Sequence, residues 1–250
     1  MKKIIVLALV LCFTNTPAKA KEIYATFTVH AKQKANLAFN YSGIIKDLHV
    51  DIMSVVKKGD ALATLVSDNL VATIDASNVT LKYANLDYKR HQGLYKKKLI
   101  DKSMLDKYAM AYEAIKAHIE IEKTQYAKTI LRAPFDGVIT RRMIELGDVV
   151  SGQTLKTAFN IQSEHARILV VEFDQKYNSD VNIGDTFLYK VDGDEKQYEG
   201  EIYRIYPEAN SNNRKIALQV IAKDLKVGLF GEGKIISLNN ANNSVKASQE

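Results

Sequence analysis

The residue types that most often hold metals or act as nucleophiles are few and scattered in this 250-residue chain. Its histidines show no metal-ligand spacing, and the single cysteine excludes a disulfide framework and a cysteine-based zinc site. The sequence contains neither a phosphate-binding glycine-rich loop followed by Lys-Ser/Thr nor a serine nucleophile elbow. We therefore expect a protein that is not an enzyme, with no catalytic residues, no cofactor and no metal. The histidines are His30, His49, His91, His118 and His165.

Composition indicates a folded protein that does not bind nucleic acid. The chain is 46% hydrophobic and 26% charged, which is ordinary for globular proteins. Its formal charge of +6 comes from 35 basic and 29 acidic residues that are interspersed along the chain. A nucleic-acid site would require basic residues clustered on one face, so we expect no such partner.

The first twenty residues have the pattern of an export signal. Lys2 and Lys3 precede an apolar run over residues 4–13, and small residues follow at Ala18 and Ala20. Ten apolar residues make about 15 Å of helix, half of the roughly 30 Å that a bilayer core requires. We therefore predict a cleaved signal peptide over residues 1–20 and an exported protein.

The middle of the chain, residues 70–128, is predicted to be helical. It has no proline and one glycine, Gly93. The helix pattern breaks near residues 96–98, and Asp101 is placed to cap a second helix. This predicts an antiparallel coiled-coil hairpin with a polar exterior, although a solvated structural helix pair fits the same periodicity. The predicted seam positions are Ile74, Leu81, Tyr88 and Tyr95, an adjacent stripe of Ala76, Val79, Tyr83 and Leu86, and later Met104, Tyr108, Ala111, Ile115 and Ile119.

Two strand-rich flanks surround the helical segment and resemble each other. Gly43-Ile44-Ile45 matches Gly137-Val138-Ile139, and Val55-Val56 matches Val149-Val150. The same order continues through Gly59 with Gly152 and Leu62 with Leu155, which indicates an internal duplication. We expect one folded unit into which the helices are inserted. The predicted strands are 39–41, 44–50, 55–56, 61–66, 129–133, 137–144, 149–150 and 156–161.

A third region, residues 167–238, again shows short strands separated by turn residues. This spacing predicts a small antiparallel barrel or sandwich. The segment Ile23–Val29 has no counterpart in the duplicated unit, so we expect it to supply another strand of the third region. The predicted strands are 168–173, 187–191, 201–206, 216–222 and 233–238, and a flexible tail is predicted over 239–250.

These residues resemble the periplasmic adaptor subunits of tripartite efflux pumps, the HlyD-like membrane fusion proteins. The segment Leu131-Arg132-Ala133-Pro134-Phe135-Asp136-Gly137-Val138-Ile139 is the most specific match and is similar to the start of the family's second lipoyl-like half. Gly43 through Leu62 resembles the first half, and residues 200–207 and 225–229 resemble the family's barrel. Val227 and Leu229 stand where the family usually has proline and methionine, which puts one loop shape in doubt.

The resemblance implies a mainly β, elongated protein: a lipoyl-like β-sandwich and a small antiparallel β-barrel, with an inserted α-helical coiled-coil hairpin. The implied function is to link an inner-membrane efflux transporter, most similar to the resistance-nodulation-division class, to an outer-membrane channel. The exported compounds would be drugs, metals or other toxic compounds, and a homo-oligomer, a hexamer by resemblance, is implied. The expected parts are a lipoyl-like domain (35–69 and 129–161), the hairpin (70–128) and a barrel domain (22–34 and 162–238).

The resemblance also implies a partner-binding site at the hairpin tip. The family often carries Arg, Leu and Ser there, in contact with the outer-membrane channel. Arg90 and Leu94 fit this pattern, while Asp101 stands where serine is usual. Each residue also has a structural interpretation: Arg90 as a solvated cation, Leu94 as a seam residue and Asp101 as a helix cap.

Other functions remain open from the sequence. The adaptor could serve an ATP-driven exporter, or the chain could be a lipoyl- or biotinyl-type carrier. The carrier is disfavoured because about 55 helical residues replace the tight turn that would present its lysine; a lipoyl or biotinyl increment in the intact mass would support it. An exported hydrolase lacks any nucleophile–base pattern.

Overall fold

The computed structural model describes residues 21–154 and 156–237. The predicted signal peptide (1–20), Leu155, Leu238 and the predicted tail (239–250) lie outside the described residues. The described chain folds as two compact units, a sandwich unit over residues 31–164 and a barrel unit over 21–30 and 165–237.

Strands precede and follow one pair of helices along the described chain. A short 3-10 helix, Gln175–Tyr177, follows β10. The elements are β1 (Lys21–Ala31), β2 (Lys34–Leu37), β3 (Gly43–Leu48), β4 (Val55–Val56), β5 (Ala61–Leu65), α1 (Asp68–Lys96), α2 (Lys102–Ala127), β6 (Ile130–Arg132), β7 (Gly137–Arg142), β8 (Val149–Val150), β9 (Phe159–Gln162), β10 (Ala166–Asp174), β11 (Thr186–Val191), β12 (Gln197–Asn210), β13 (Lys215–Lys223) and β14 (Phe230–Ser237).

The barrel unit is a closed six-stranded barrel in the order β1-β10-β13-β12-β11-β14. Alternate residues of each strand point inward, as in β1, where Ile23, Ala25, Phe27 and Val29 are all buried. β1 pairs antiparallel with β14, so the predicted extra strand at 23–29 is confirmed as a barrel strand. Closing the barrel leaves no unpaired strand edge.

Glycines in β14 make room for the aromatic core of the barrel. A Cβ atom added to Gly233 would lie 2.7 Å from the Phe187 ring, and one added to Gly231 would lie 2.6 Å from the Phe27 ring. The freed space lets the two rings meet edge to face, with centroids 5.9 Å apart. Small residues on one strand therefore complement large ones on its neighbours.

The sandwich unit consists of two four-stranded sheets, β2-β9-β7-β4 and β6-β5-β3-β8, around one core. Both duplicated flanks contribute to this core: Ile45 and Leu65 come from the first, and Ile139 and Phe159 from the second. All four side chains are 2% exposed or less. The two flanks therefore share one interior.

The two halves of the sandwich exchange strands. β8 pairs with β3 through Gly43↔Val150, and β4 pairs with β7 in the matching register, Val56↔Gly137. Outside these ladders, the Met53 N–H donates to the Ile139 carbonyl at 2.8 Å, and its counterpart Gly147 donates to Ile45 at 3.0 Å. Each half thus completes the other, as expected of an internal duplication.

One arginine joins equivalent turns of the two halves. Arg142 Nε donates to Asp51 Oδ1 at 3.0 Å, and Arg142 Nη1 donates to Glu145 Oε2 at 2.6 Å. Asp51 and Glu145 are counterparts in the duplication. Accepting the Ile52 backbone N–H, and then the Arg142 contact, lowers the pKa of Asp51 from its ordinary value of 3.8. The partly buried guanidinium therefore links both repeats.

The structure corrects two strand predictions and adds one strand that was not predicted. Residues 39–41 are not a strand; Phe39 instead fills the core from an irregular segment, while the nearby strand β2 was missed. The run Lys34-Ala35-Asn36-Leu37 has low β-propensity, and its pairing with β9 imposes the extended form. β12 is longer than the predicted 201–206 because a register shift between Ile205 and Ala209 accommodates Pro207 without a ladder hydrogen bond.

Alanine substitution at two equivalent glycines should have unequal effects. A Cβ at Gly137 would collide with the backbone carbonyl of Gln162, whereas one at Gly43 would meet only the Leu65 side chain at 3.3 Å. Gly137→Ala should lower the free energy of unfolding by about 1–3 kcal/mol, and Gly43→Ala by less than about 1 kcal/mol. Denaturant unfolding of both variants tests this; equal losses would contradict it.

The Asp51 contact should make stability sensitive to acid. Because the folded-state pKa of Asp51 is lowered, its stabilising contribution is present above the ordinary value of 3.8 and is lost as the pH falls through the folded-state pKa. Wild type should therefore be more stable than Asp51→Asn near neutral pH, and this difference should shrink on acidification. Urea unfolding at a series of pH values measures it; a constant difference would argue against the contact.

Candidate functional site

The two helices of the sandwich unit pack against each other in an antiparallel pair. Tyr88 stacks on Tyr112 with ring centroids 5.8 Å apart, and His91 stacks on Tyr108 at 3.5 Å. The later residue of α1 contacts the earlier residue of α2, so the two helices run in opposite directions. Among the described residues, neither helix is long and apolar enough to cross a membrane.

The contact face of each helix follows a seven-residue repeat. On α1, the predicted positions Ile74, Leu81 and Tyr88 are half-buried, whereas the predicted Tyr95 is 39% exposed. On α2 the predicted Met104 and Ala111 are wrong, because both are exposed. The predicted Tyr108 and Ile115 are half-buried and the predicted Ile119 is buried, so these three positions are confirmed. The contact face is completed by a column readable at the same seven-residue spacing, Leu105-Tyr112-Ile119-Tyr126.

The outside of the helix pair is not uniformly polar, contrary to expectation. Val79, Tyr83 and Leu86, predicted as a stripe beside the seam, are 57%, 60% and 48% exposed. These three side chains lie away from α2. The structure thus separates two apolar faces on α1 that the sequence pattern had combined.

A polar contact inside the helix pair was not anticipated from the sequence. Ser77 Oγ donates to Glu122 Oε1 at 3.0 Å, and His118 Nε2 lies 3.3 Å from the same oxygen. Glu122 is only 8% exposed. The four-residue spacing of His118 and Glu122 was the one available signal, because side chains four apart share a helix face.

The bases of both helices are fixed by adjacent strands. β5 leads into α1 and β6 follows α2, and the two strands pair through Ala63↔Leu131 and Thr64↔Ile130. The Leu65 N–H also donates to the Thr129 carbonyl at 2.9 Å. The start of α1 and the end of α2 are therefore held at neighbouring points of one sheet.

The tip between the helices is closed by a Schellman turn. The Leu99 N–H donates to the Leu94 carbonyl at 3.0 Å, and the Lys98 N–H donates to the Tyr95 carbonyl at 2.8 Å. Lys98 has a φ of 59°, a left-handed conformation that glycine usually adopts at this position. Lys96, Lys97 and Lys98 are all exposed, so the tip presents positive charge.

The three predicted site residues lie at or close to this tip. Asp101 caps α2, since its Oδ1 accepts the Met104 N–H at 2.8 Å. The Leu94 carbonyl closes the turn, and its side chain is half-buried. Arg90, one helical turn further back, is exposed and donates to Asp87 at 3.0 Å. Leu94 therefore ends α1 on one side of the turn and Asp101 begins α2 on the other, while Arg90 lies one helical turn before Leu94 on α1.

In the described part of the chain, no three His, Cys, Asp or Glu residues converge as a metal site. The turn at the tip is closed by backbone hydrogen bonds, and three exposed lysines give it a positive charge. Such a surface suits contact with another macromolecule.

A solved structure shares this fold over most of the chain. A MacA–MexA chimeric protein that contains the Pseudomonas aeruginosa MexA α-hairpin domain superposes with a TM-score of 0.79 at 21% identity. The match covers 87% of this chain and 81% of that one. A likeness at this identity defines the fold.

The amino-acid sequence matches the model of a protein family over most of the sandwich unit. The CzcB-like barrel-sandwich hybrid domain matches residues 33–162, just over half of the chain. The chain belongs to this family, whose members are membrane fusion proteins of efflux pumps.

Two curated relatives match parts of the chain. An uncharacterised protein of Haemophilus influenzae is 26% identical over 179 residues, 68% of this chain. The cobalt-zinc-cadmium resistance protein CzcB of Cupriavidus metallidurans is 28% identical over 135 residues, 47% of this chain. The matches span 47% of the first relative's length and 25% of the second's.

Replacing the cap at Asp101 tests its structural role. Asp101→Ala removes the acceptor for the Met104 N–H and should destabilise the tip by about 1 kcal/mol, whereas Asp101→Ser keeps a capping oxygen and should change it little. Hydrogen exchange at residues 102–106 measures the effect locally. Equal exchange rates in the two variants would contradict a capping role.

Proposed function

We propose that this protein is a non-enzymatic periplasmic adaptor that links an inner-membrane efflux transporter to an outer-membrane channel. The helix pair would act as a coiled-coil arm carrying the channel contact at its tip. The sandwich and barrel units would form the remainder of an elongated adaptor beside the transporter. Hydrolysis or ion flow would then take place in the partner, and this chain would supply binding surfaces.

The observation that supports the proposal most directly is the insertion of a helix pair between exchanged sandwich halves. The base of the pair is fixed by β5 and β6, and its tip is closed by hydrogen bonds at Leu94 and Asp101. A fixed base and an ordered tip suit helix-on-helix contact at a distance from the sandwich. The family membership supports the same role.

At the tip, Arg90, Leu94 and Asp101 would form the channel contact. Arg90 can exchange its exposed bond to Asp87 for a partner carboxylate at little cost, because exposed ion pairs contribute little. Leu94 would supply apolar area, and Asp101 would fix the start of α2. The three lysines would steer the tip towards an acidic partner.

Several finer features belong to the same proposal. We propose a cleaved signal peptide, a homo-oligomer such as a hexamer, a transporter of the resistance-nodulation-division class, and the domain division stated from the sequence. The cargo would be drugs, metals or other toxic compounds; the name of the CzcB relative supports metal ions among these. An ATP-driven exporter is the second candidate partner.

Affinity capture of the tagged full chain from cross-linked, solubilised envelopes of its source cells tests the proposal. We expect mass spectrometry to identify both an inner-membrane transporter and an outer-membrane channel. Recovery of neither would overturn the adaptor function.

A paired variant tests the tip. Arg90→Ala combined with Leu94→Asp should lower channel recovery several-fold and leave transporter recovery unchanged. Asn78→Ala, an exposed change on the same helix but far from the tip, is the matched control and should alter neither. Unchanged channel recovery in the tip variant would remove these residues from the contact.

A further inference from the structure

A trough runs along the outer face of β1 in the barrel unit. The outward-facing residues in the middle of β1 are two threonines, Thr26 and Thr28, and both are half-buried. Longer side chains flank them on both sides: Phe230 and Glu232 on β14, and Glu172 on β10. The enclosed volume is about 520 Å³, which falls in the range of small-molecule sites.

The trough is long and narrow. Tyr24 and His30, the outward-facing residues before and after the two threonines, lie at its ends. Six strand residues span about 20 Å. β1 lies between two neighbours in the closed barrel, so it offers no strand edge to which an extended peptide could pair. Recognition must therefore come from side chains, and the shape suits a linear ligand.

The side chains that line the trough give it negative charge. Three carboxylates line it, those of Glu172, Asp192 and Glu232. Among the described residues, Asp192 and Glu232 form no ion pair, and Lys215 lies 3.7 Å from Glu172 in an exposed pair that is easily exchanged. The hydrogen bond to the Glu232 carboxylate raises the pKa of Tyr24 from its ordinary value of 10.0, and the charge of Asp192 adds to this rise. The trough therefore attracts cations.

Two exposed aromatic rings lie beside these carboxylates. Tyr24 is 59% exposed and Phe230 is 61% exposed. The Tyr24 hydroxyl donates to Glu232 Oε2 at 2.6 Å, which holds the first ring next to that carboxylate. The Asp192 N–H donates to the Phe230 carbonyl at 3.0 Å, so the second ring belongs to a residue bonded to a second acidic residue. Aromatic rings near carboxylates favour ammonium groups and the methylene chains attached to them.

We propose that the trough binds a linear polyamine, a molecule whose ammonium groups are separated by methylene chains. The carboxylates bind the ammonium groups, and the two rings contact the methylene segments. The threonine hydroxyls accept hydrogen bonds from the middle of the ligand. This inference goes beyond the proposed adaptor function and does not depend on it.

The placement of the carboxylates favours several charges on one molecule. Within the part of the chain that the structure describes, no three His, Cys, Asp or Glu side chains converge on one metal position. Glu232 and Glu172 lie on opposite sides of β1, and Asp192 follows the end of β11. Lys190, the cross-strand neighbour of Glu232, does not line the trough. Negative charges spread in this way suit a polycation better than one compact ion.

Calorimetric titration of the full chain with spermidine tests the proposal. We expect one molecule to bind per chain, and binding to persist at about 150 mM salt. Glu232→Gln with Asp192→Asn should weaken it about tenfold, because two of the three carboxylates lose their charge.

A matched control separates the trough from net charge. Glu199→Gln with Glu201→Gln makes the same change of charge at exposed positions of β12, which lies opposite β1 in the barrel order. This variant should weaken spermidine binding by less than about twofold. Equal losses in the two double variants would overturn the site.

Variants of the rings test the aromatic contribution. Tyr24→Leu with Phe230→Ser removes both rings without changing the charge, and it should weaken spermidine binding by about fivefold. Tyr24→Phe keeps the ring and frees Glu232 from its hydrogen bond, so it should tighten binding by about two- to threefold. Full affinity in the first variant, or weaker binding in the second, would contradict the proposal.

Competition distinguishes other occupants. Magnesium ions at matched ionic strength should displace little spermidine, and a tetralysine peptide should bind more weakly than spermidine does. Complete displacement by magnesium would reduce the binding to a counterion layer, and tighter binding of tetralysine would identify a peptide groove. Either result would overturn the polyamine site.

The outcomes separate this inference from the adaptor function. The Glu232→Gln, Asp192→Asn variant should still recover transporter and channel from envelopes as the wild type does. Loss of the transporter in that variant would assign the trough to a protein partner and overturn the polyamine site. Spermidine binding to a wild-type chain that recovers neither partner would uphold the site and count against the adaptor.

Discussion

The exchange of strands between the two sandwich halves is the constraint on which the rest of the sandwich unit depends. β4 completes the sheet of the second half, and β8 completes that of the first. Because each half lacks a strand of its own, neither buries its apolar face alone. The Arg142 bridge to the turn at Asp51 belongs to this exchange, because Arg142 lies in the second half and Asp51 in the first.

The same constraint explains how a long helix pair can be inserted without disrupting the core. The helices are inserted between β5 and β6, which are paired neighbours in one sheet. The chain therefore leaves the sandwich and returns to it at adjacent points. Packing along the helices comes from their own contact face, where only Ile119 and Glu122 are buried. The binding surface is therefore free to vary while the sandwich stays fixed.

The sequence predicted much of this architecture because its signals were local or repeated. The duplication was visible in Gly43 with Gly137 and in the paired valines, and Asp101 was recognisable as a cap from its position alone. Met104 was wrongly assigned to the contact face of α2 because Met104 and Leu105 are both apolar, and only packing against α1 selects Leu105. β2 was missed because its residues have low β-propensity and take the extended form only beside β9.

The sequence predicted where the tip lies, but not the backbone conformation of its turn. A left-handed Lys98 has no local signal, because the turn usually uses glycine there. The buried Ser77–Glu122 contact was likewise invisible, since it joins positions 45 residues apart.

Closure of the barrel has a consequence for the order in which the chain acquires structure. One neighbour of β1 is β14, so one edge of the first barrel strand stays unpaired until a strand about two hundred positions later has been made. The sandwich unit is one uninterrupted stretch and can form as soon as that stretch is free. Contacts between distant positions form slowly, so β1 remains an open edge for longest, and it is the segment that most needs protection from aggregation in a newly made chain.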